Sequence, residues 1–177
     1  VHHSPLFPWL TGLLYLVTRN MALSSEILYV ILGALLVLPM YAIGSVVYDR
    51  RAGLGAAALT AVFPALTASV LHWGTMTEPL YMLMIYVGLW AGLVILSAQW
   101  RVAGESSAAK APTDPWWAYL VAGLAFGLAY LTRPEAITYF VVAGAFFVLL
   151  RLLRRRWDIR FPLKMLLYIV AFGLAFG

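Results

Sequence analysis

Few side chains in this sequence could take part in chemistry, and they lie in short segments between long apolar runs. His2 and His3 stand near the beginning, Glu78 follows the second apolar run, and Arg133 and Glu135 follow the fourth. A carboxylate can take up a proton, a guanidinium group binds phosphate oxygens through two parallel hydrogen bonds, and imidazole binds metal ions. These residue types predict acid–base and anion-binding chemistry. The absence of cysteine excludes disulfides and thiolate metal sites.

The two carboxylates also have structural explanations. Thr75-Met-Thr-Glu78 has the spacing of a capping box, in which a Thr and a Glu satisfy free N–H groups at a helix start, and Pro79 suits the first turn. Thr132-Arg-Pro-Glu135 has the same spacing. Glu78 is therefore a candidate catalytic residue or a cap. Capping is the favoured explanation of Glu135, and substrate binding is its alternative.

The cationic candidates have alternatives as well. Arg133 either extends to the membrane interface or pairs with Glu135, or it binds an anion, for which a guanidinium fork is well shaped. His2 and His3 are either surface residues or contacts to a metal ion or phosphate.

The elements that must position these residues are membrane helices. The chain is 64% apolar and 11% charged, with a mean hydropathy of +0.91, and a span needs ~20 mostly apolar residues. The sequence predicts an all-α, polytopic transmembrane bundle of about six helices in a single domain, 1–177. The predicted helices lie at about 24–48, 52–71, 78–100, 115–132, 134–153 and 162–177, with an outer interfacial segment at 1–23 and a cytoplasmic loop at 101–114. In the interfacial segment, Pro5 and Pro8 are expected to prevent an early helix.

The distribution of positive charge predicts the orientation. Ten of the twelve Lys and Arg residues fall between alternate apolar runs, and only Arg19 and Arg133 fall on the other side. Cytoplasmic loops carry the excess of Lys and Arg, so Glu78 and Arg133 are expected on the non-cytoplasmic face of a multi-pass protein, in the cell membrane if it is prokaryotic. There they are expected to lie close to His2 and His3 around one outward cavity. Because the basic residues lie at helix ends, nucleic acid is not an expected partner.

Small residues predict where helices approach closely. The favoured use of these positions is packing within one bundle, and dimerisation is the alternative. The pairs are Gly88/Gly92, Gly123/Gly127 and Gly173/Gly177. The sequence also begins without Met and ends within an apolar run, from which we expect a piece of a longer polytopic protein.

Four motifs resemble those of integral-membrane glycosyltransferases with the GT-C fold. The resemblance is to the dolichyl-phosphate-mannose–protein mannosyltransferases and the bacterial aminoarabinose-to-lipid A transferases, and it covers nearly the whole chain. The motifs are His3-Ser-Pro-Leu-Phe-Pro, Val47-Tyr-Asp-Arg-Arg-Ala-Gly-Leu, Thr75-Met-Thr-Glu-Pro-Leu and Gly127-Leu-Ala-Tyr-Leu-Thr-Arg-Pro-Glu.

The resemblance implies transfer of a sugar from a polyprenyl phosphate to a lipid, glycan or protein acceptor on the non-cytoplasmic face. It implies that the main catalytic base precedes Val1, that Glu78 is a second acidic site, and that Arg133 is a cation at the pocket rim. It places His3 near the lipid phosphate and His2 where a metal ion can bind, so a divalent metal ion is a candidate cofactor.

Two other classes remain as alternatives: a fragment of a membrane transporter and a non-catalytic membrane scaffold. Transporters tend to carry ionisable groups near the bilayer midplane. The middle of each apolar run here is bare of charge, which favours a site at the interface.

Overall fold

The computed structural model describes residues 5–62, 78–104, 115–153 and 159–175, and every regular element in these ranges is an α-helix. The predicted all-α bundle is confirmed. The helices are α1 (Leu6–Thr18), α2 (Met21–Leu35), α3 (Val37–Val47), α4 (Arg50–Val62), α5 (Glu78–Gly104), α6 (Trp116–Thr132), α7 (Ala136–Leu153) and α8 (Phe161–Leu174).

Among the described residues, three stretches are long and apolar enough to cross a membrane by length and composition: Met21–Val47, Glu78–Ala98 and Ala136–Leu153. Further apolar helices of 10–17 residues are α1, α6 and α8. Large apolar side chains such as Val142 and Leu166 lie exposed on the outside of the bundle, at 61% and 55% of their surface. An outer surface of this kind is compatible with lipid rather than water, and the protein is an integral membrane protein.

The first helix begins earlier than the sequence indicated. Helix α1 starts at Leu6, with Pro5 just before it and Pro8 in its first turn, so the expectation that these prolines prevent a helix is wrong. The first N–H groups of a helix have no partner within it, and a proline there removes nothing that was bonded. The amide of Trp9 donates to the Pro5 carbonyl at 3.1 Å, which closes the first turn.

The first long span is two consecutive helices. Helix α2 begins at Met21 because the Asn20 side chain accepts from the amides of Ala22 and Leu23, at 3.1 and 3.3 Å. The break between α2 and α3 falls at Leu36. Pro39 follows three residues later, and its missing N–H and bulky ring disturb the preceding turn. The sequence indicated one uninterrupted helix here, beginning at residue 24.

Glycines allow the later helices to pack closely. A Cβ added at Gly88 would lie 2.6 Å from the Phe126 ring, so α5 and α6 meet there. A Cβ at Gly123 would collide with the backbone carbonyl of Tyr168, and one at Gly127 would lie 2.7 Å from that of Phe172. These contacts are the predicted packing within one bundle. Gly173, in contrast, has nothing within 4 Å of an added Cβ.

Contacts between side chains show the relative directions of neighbouring helices. Trp90, in the middle of α5, meets Trp117 at the start of α6, with ring centroids 5.9 Å apart. Phe147, late in α7, contacts Tyr168, and Phe140, early in α7, stacks on Phe172. Phe126, further along α6, lies at Gly88, which is earlier in α5 than Trp90. Helices α5 and α6 therefore run antiparallel, as do α7 and α8. The start of α5, the end of α6 and the start of α7 come to the same end of the bundle.

Candidate functional site

An ion pair joins the start of α5 to the end of α6. Arg133 Nη2 donates to Glu78 Oε1 at 3.1 Å, and the two residues are 55 positions apart in the sequence. Their side chains are 37% and 36% exposed, so the pair is open to a ligand from outside the bundle. Of the expected cluster, the part that brings Glu78 to Arg133 is confirmed, whereas the part that involves His2 and His3 lies outside the described residues. Glu78 rather than Glu135 is the ion partner of Arg133.

The backbone around Arg133 explains its position. The residue before a proline avoids the helical region, and Arg133 is extended, with φ −150° and ψ 127°. Helix α6 therefore ends at Thr132, and α7 begins only at Ala136. The Ala136 amide donates to the Arg133 carbonyl at 3.1 Å, which makes a tight turn between the helices.

This geometry overturns the predicted capping box at Thr132-Arg-Pro-Glu135. In such a box Thr132 would precede a helix, whereas it is the last residue of α6. Its hydroxyl donates to the Ala129 carbonyl at 2.6 Å. Glu135 is exposed in the turn, and its carboxylate is available at the end of the bundle that carries the ion pair. The corresponding box at Thr75-Met-Thr-Glu78 lies partly outside the described residues.

Tyrosine side chains surround the ion pair. The guanidinium carbon of Arg133 lies 5.7 Å from the centroid of the Tyr81 ring, in cation–π contact. The Tyr81 hydroxyl interacts with that of Tyr139, from the first turn of α7, and the charge of Glu135 also acts on it. Tyr139 is 42% exposed. The site therefore combines two carboxylates, one guanidinium group and amphipathic rings at the same end of three helices.

A further tyrosine, Tyr29 on α2, lies within electrostatic range of Glu78. The hydroxyl oxygen of Tyr29 is buried and makes no hydrogen bond to the described part of the chain. Glu78 is close enough for its charge to act on this hydroxyl. Tyr29 did not stand out in the sequence, because a tyrosine within an apolar run looks like any other membrane-facing aromatic residue.

An apolar groove runs along the bundle between α7 and α8. Its volume is about 810 Å³, it is open on one side, and its walls are almost entirely carbon. Phe140, in the second turn of α7, lines it near the end that carries the ion pair, and Leu152 lines it near the other end. The groove has the shape and polarity to hold a hydrocarbon chain.

Comparison with known proteins supplies the family. The family model described as dolichyl-phosphate-mannose-protein mannosyltransferase matches residues 2–176. The chain belongs to this family. No curated protein and no solved structure matches the chain. The mannosyltransferase family is one of membrane glycosyltransferases, which agrees with the resemblance seen in the four sequence motifs.

Two further site residues, and a metal site, were predicted for this mannosyltransferase-family chain. His2 and His3 lie outside the described residues. Within the described ranges, no three His, Asp or Glu side chains come together as a possible metal site. Glu78 and Glu135 offer oxygen atoms that suit a hard divalent cation, but two carboxylates do not by themselves make a metal site. Metal dependence stays a prediction, and so do the roles of His2 and His3.

Proposed function

We propose that this chain forms part of a glycosyltransferase that moves a sugar from a polyprenyl phosphate to an acceptor on the non-cytoplasmic face of the membrane. The observation that carries the proposal is the Glu78–Arg133 pair, more than a third exposed, in which a carboxylate lies beside a guanidinium group suited to phosphate at one end of an apolar bundle. Membership of the mannosyltransferase family supports the same reaction class over the transporter and scaffold alternatives.

The non-cytoplasmic placement rests on charge. Arg151, Arg160 and Lys164 lie at the end of α7 and the start of α8, the end of the bundle opposite the ion pair. Cytoplasmic ends carry the excess of positive charge. This distribution supports the multi-pass orientation in which Glu78 and Arg133 lie outside.

Arg133 is suited to hold the phosphate of the donor. Its guanidinium group has five N–H donors in a planar fork, and one bond to Glu78, from Nη2, is made in the structure. The other edge of the fork can donate two parallel bonds to phosphate oxygens. As the bond between the anomeric carbon and the phosphate oxygen breaks, the electron pair stays on the phosphate, and a positive group there stabilises the leaving group.

Glu78 is suited to bind a hydroxyl group. Its carboxylate accepts a hydrogen bond from Arg133 through one oxygen, and its second oxygen can accept from a substrate hydroxyl. In the transfer, an acceptor oxygen forms a new bond to the anomeric carbon and its proton goes to a carboxylate base. Glu78 is a candidate for that base or for a residue that positions the sugar beside it. A divalent metal ion stays a candidate cofactor, and one bound near the phosphate would add positive charge there.

The groove between α7 and α8 supplies a place for the polyprenyl chain. It begins near the end that carries Arg133 and continues along the bundle towards Leu152. A donor whose phosphate lies at Arg133 can therefore keep its hydrocarbon chain against apolar side chains and lipid. The nature of the acceptor, whether protein, lipid or glycan, stays open to experiment.

Transfer can be measured directly. The intact protein in proteoliposomes should move radiolabelled sugar from a polyprenyl-phosphate sugar to endogenous or added acceptor. The first donor to offer is polyprenyl-phosphate mannose, and donors with other sugars follow. A folded wild-type protein that uses none of them contradicts the proposal and brings the transporter alternative to first place.

A further inference from the structure

The Tyr29 hydroxyl is a feature that packing alone does not explain. Its oxygen is shielded from solvent and has no hydrogen-bond partner within the described residues. A buried polar group without a partner destabilises the folded state, since it gives up hydrogen bonds to water and receives none in return. Phenylalanine would fill the same space without this cost. The hydroxyl therefore calls for an explanation in terms of a ligand.

The packing of α2 on α5 places Tyr29 at the candidate site. Leu28 and Leu32, on either side of Tyr29 in α2, belong to one apolar cluster with Leu80 and Leu83, early in α5. Glu78 begins α5, and its charge acts on the Tyr29 hydroxyl. Glu78 therefore has a bonded neighbour in Arg133, at the end of α6, and has the Tyr29 hydroxyl of α2 within electrostatic range.

The chemistry of these groups selects the ligand atom that fits between them. A carboxylate only accepts hydrogen bonds, whereas a tyrosine hydroxyl can also donate one. A phosphate oxygen next to Glu78 would be repelled by its charge. A hydroxyl group fits both neighbours, because it can donate to the carboxylate and accept from the tyrosine through the same oxygen. Sugars present such hydroxyl groups, and they are part of the donor in the proposed function.

We infer that Tyr29 and Glu78 together bind one hydroxyl group of the sugar to be transferred, with Glu78 accepting from it and Tyr29 donating to it. This inference rests on the proposed function. Tyr29 is a positioning residue for the sugar, and Arg133 serves the phosphate of the same donor. The two residues therefore separate recognition of the sugar from recognition of the lipid phosphate.

The test compares two probes on the purified full-length protein in detergent. One is a short-chain polyprenyl phosphate that carries mannose, and the other is the same polyprenyl phosphate without sugar. For wild type, the mannose-bearing probe should bind more tightly than the bare phosphate. Tyr29→Phe should weaken binding of the mannose-bearing probe by roughly threefold to tenfold, as expected for one hydrogen bond, and leave the bare phosphate unchanged. Arg133→Ala should weaken both probes.

A second measurement separates a binding role from a structural one. Tyr29→Phe should unfold at the same temperature as wild type or a higher one, because the variant no longer buries an unpartnered hydroxyl. Tyr41→Phe is the matched control: it lies about three turns further along the same span, and it should bind both probes as wild type does. Unchanged preference for the mannose-bearing probe in Tyr29→Phe overturns the inference, as does equal binding of the two probes by wild type. If wild type binds neither probe, the proposed donor class fails, and this inference fails with it.

Discussion

Replacement of Arg133 should separate its contribution to transfer from its contribution to stability. The structure gives it one hydrogen bond to Glu78 at 3.1 Å, between side chains that are both more than a third exposed. An exposed ion pair contributes about 0.2–1 kcal/mol, and the contact with the Tyr81 ring adds about 0.5–1 kcal/mol. Arg133→Ala should therefore lose at most about 2 kcal/mol of stability.

The expected loss of activity is larger. Removal of one charged contact that strengthens in the transition state costs about 2.7–4 kcal/mol, or roughly 10²–10³ in rate. Transfer by Arg133→Ala should fall by this factor, whereas Arg133→Lys should recover only part of it, because an ammonium group cannot reproduce the two parallel bonds of the fork.

The assay is transfer of radiolabelled sugar from polyprenyl phosphate in proteoliposomes, with thermal unfolding in detergent measured on the same preparations. Arg19→Ala is the matched control. Arg19 is the other basic residue predicted on the outer side, it lies in the turn between α1 and α2, and its replacement should leave transfer near the wild-type rate. The phosphate role is refuted if Arg133→Ala is folded and fully active, or if its activity falls only as far as its folded fraction does.

Three further predictions address the second charge, the packing and the topology. Glu78→Gln should lower transfer while the protein stays folded, because Gln can still serve a helix start; an active variant would limit Glu78 to capping. Gly123→Ala should lower the free energy of unfolding by about 1–3 kcal/mol, because its Cβ would meet the Tyr168 backbone. Gly33→Ala is the control and should not lower it, since there is open space around its Cβ. Equal unfolding temperatures for the two variants would contradict the close packing of α6 and α8. Cysteines introduced at the exposed positions Pro134 and Ile159 should react with an impermeant thiol reagent from opposite sides of the membrane. The labelling can be assigned to these positions because the chain has no native cysteine. Labelling of both from the same side would refute the orientation.

Most of what could be predicted about the fold came from the spacing of charged residues between apolar runs. The apolar runs predicted helices, and the uneven distribution of Lys and Arg predicted which ends lie together. The meeting of Glu78 with Arg133 follows from that alternation, because two turns on one side of a small bundle have little room to lie apart. No local pattern near either residue would have paired them, since 55 positions separate them.

The two incorrect predictions involve prolines, whose effect depends on their position relative to the ends of a helix. Pro8 was expected to prevent a helix, but in the first turn a missing N–H costs nothing. At Thr132-Arg-Pro-Glu135, the spacing of a capping box was present, yet Pro134 favours an extended Arg133 and ends α6 instead. The same residue type thus permits a helix in one place and stops one in another, and the sequence alone did not show which position each proline occupies.

Tyr29 could not be identified from the sequence, because what distinguishes it is a missing hydrogen-bond partner in the folded chain. Nothing in an apolar run distinguishes a tyrosine whose hydroxyl reaches lipid headgroups from one whose hydroxyl is buried within electrostatic range of a carboxylate. The distinction appears only when α2 is packed on α5 and the hydroxyl is seen to have no partner in the described chain.

The geometry of the ion pair also depends on helix packing at a distance from it. Glu78 and Arg133 belong to different helices, so the 3.1 Å contact between them is only as fixed as the contact between α5 and α6. The two helices meet at Gly88, where an added Cβ would lie 2.6 Å from the Phe126 ring. Gly88 lies ten residues after Glu78, roughly 15 Å along the helix. A side chain at Gly88 must displace the Phe126 ring or the helix that carries it, and a shift of α6 would move the guanidinium away from the carboxylate without touching either group. Loss of activity from such a change would then report on the positioning of the pair rather than on a group that meets substrate.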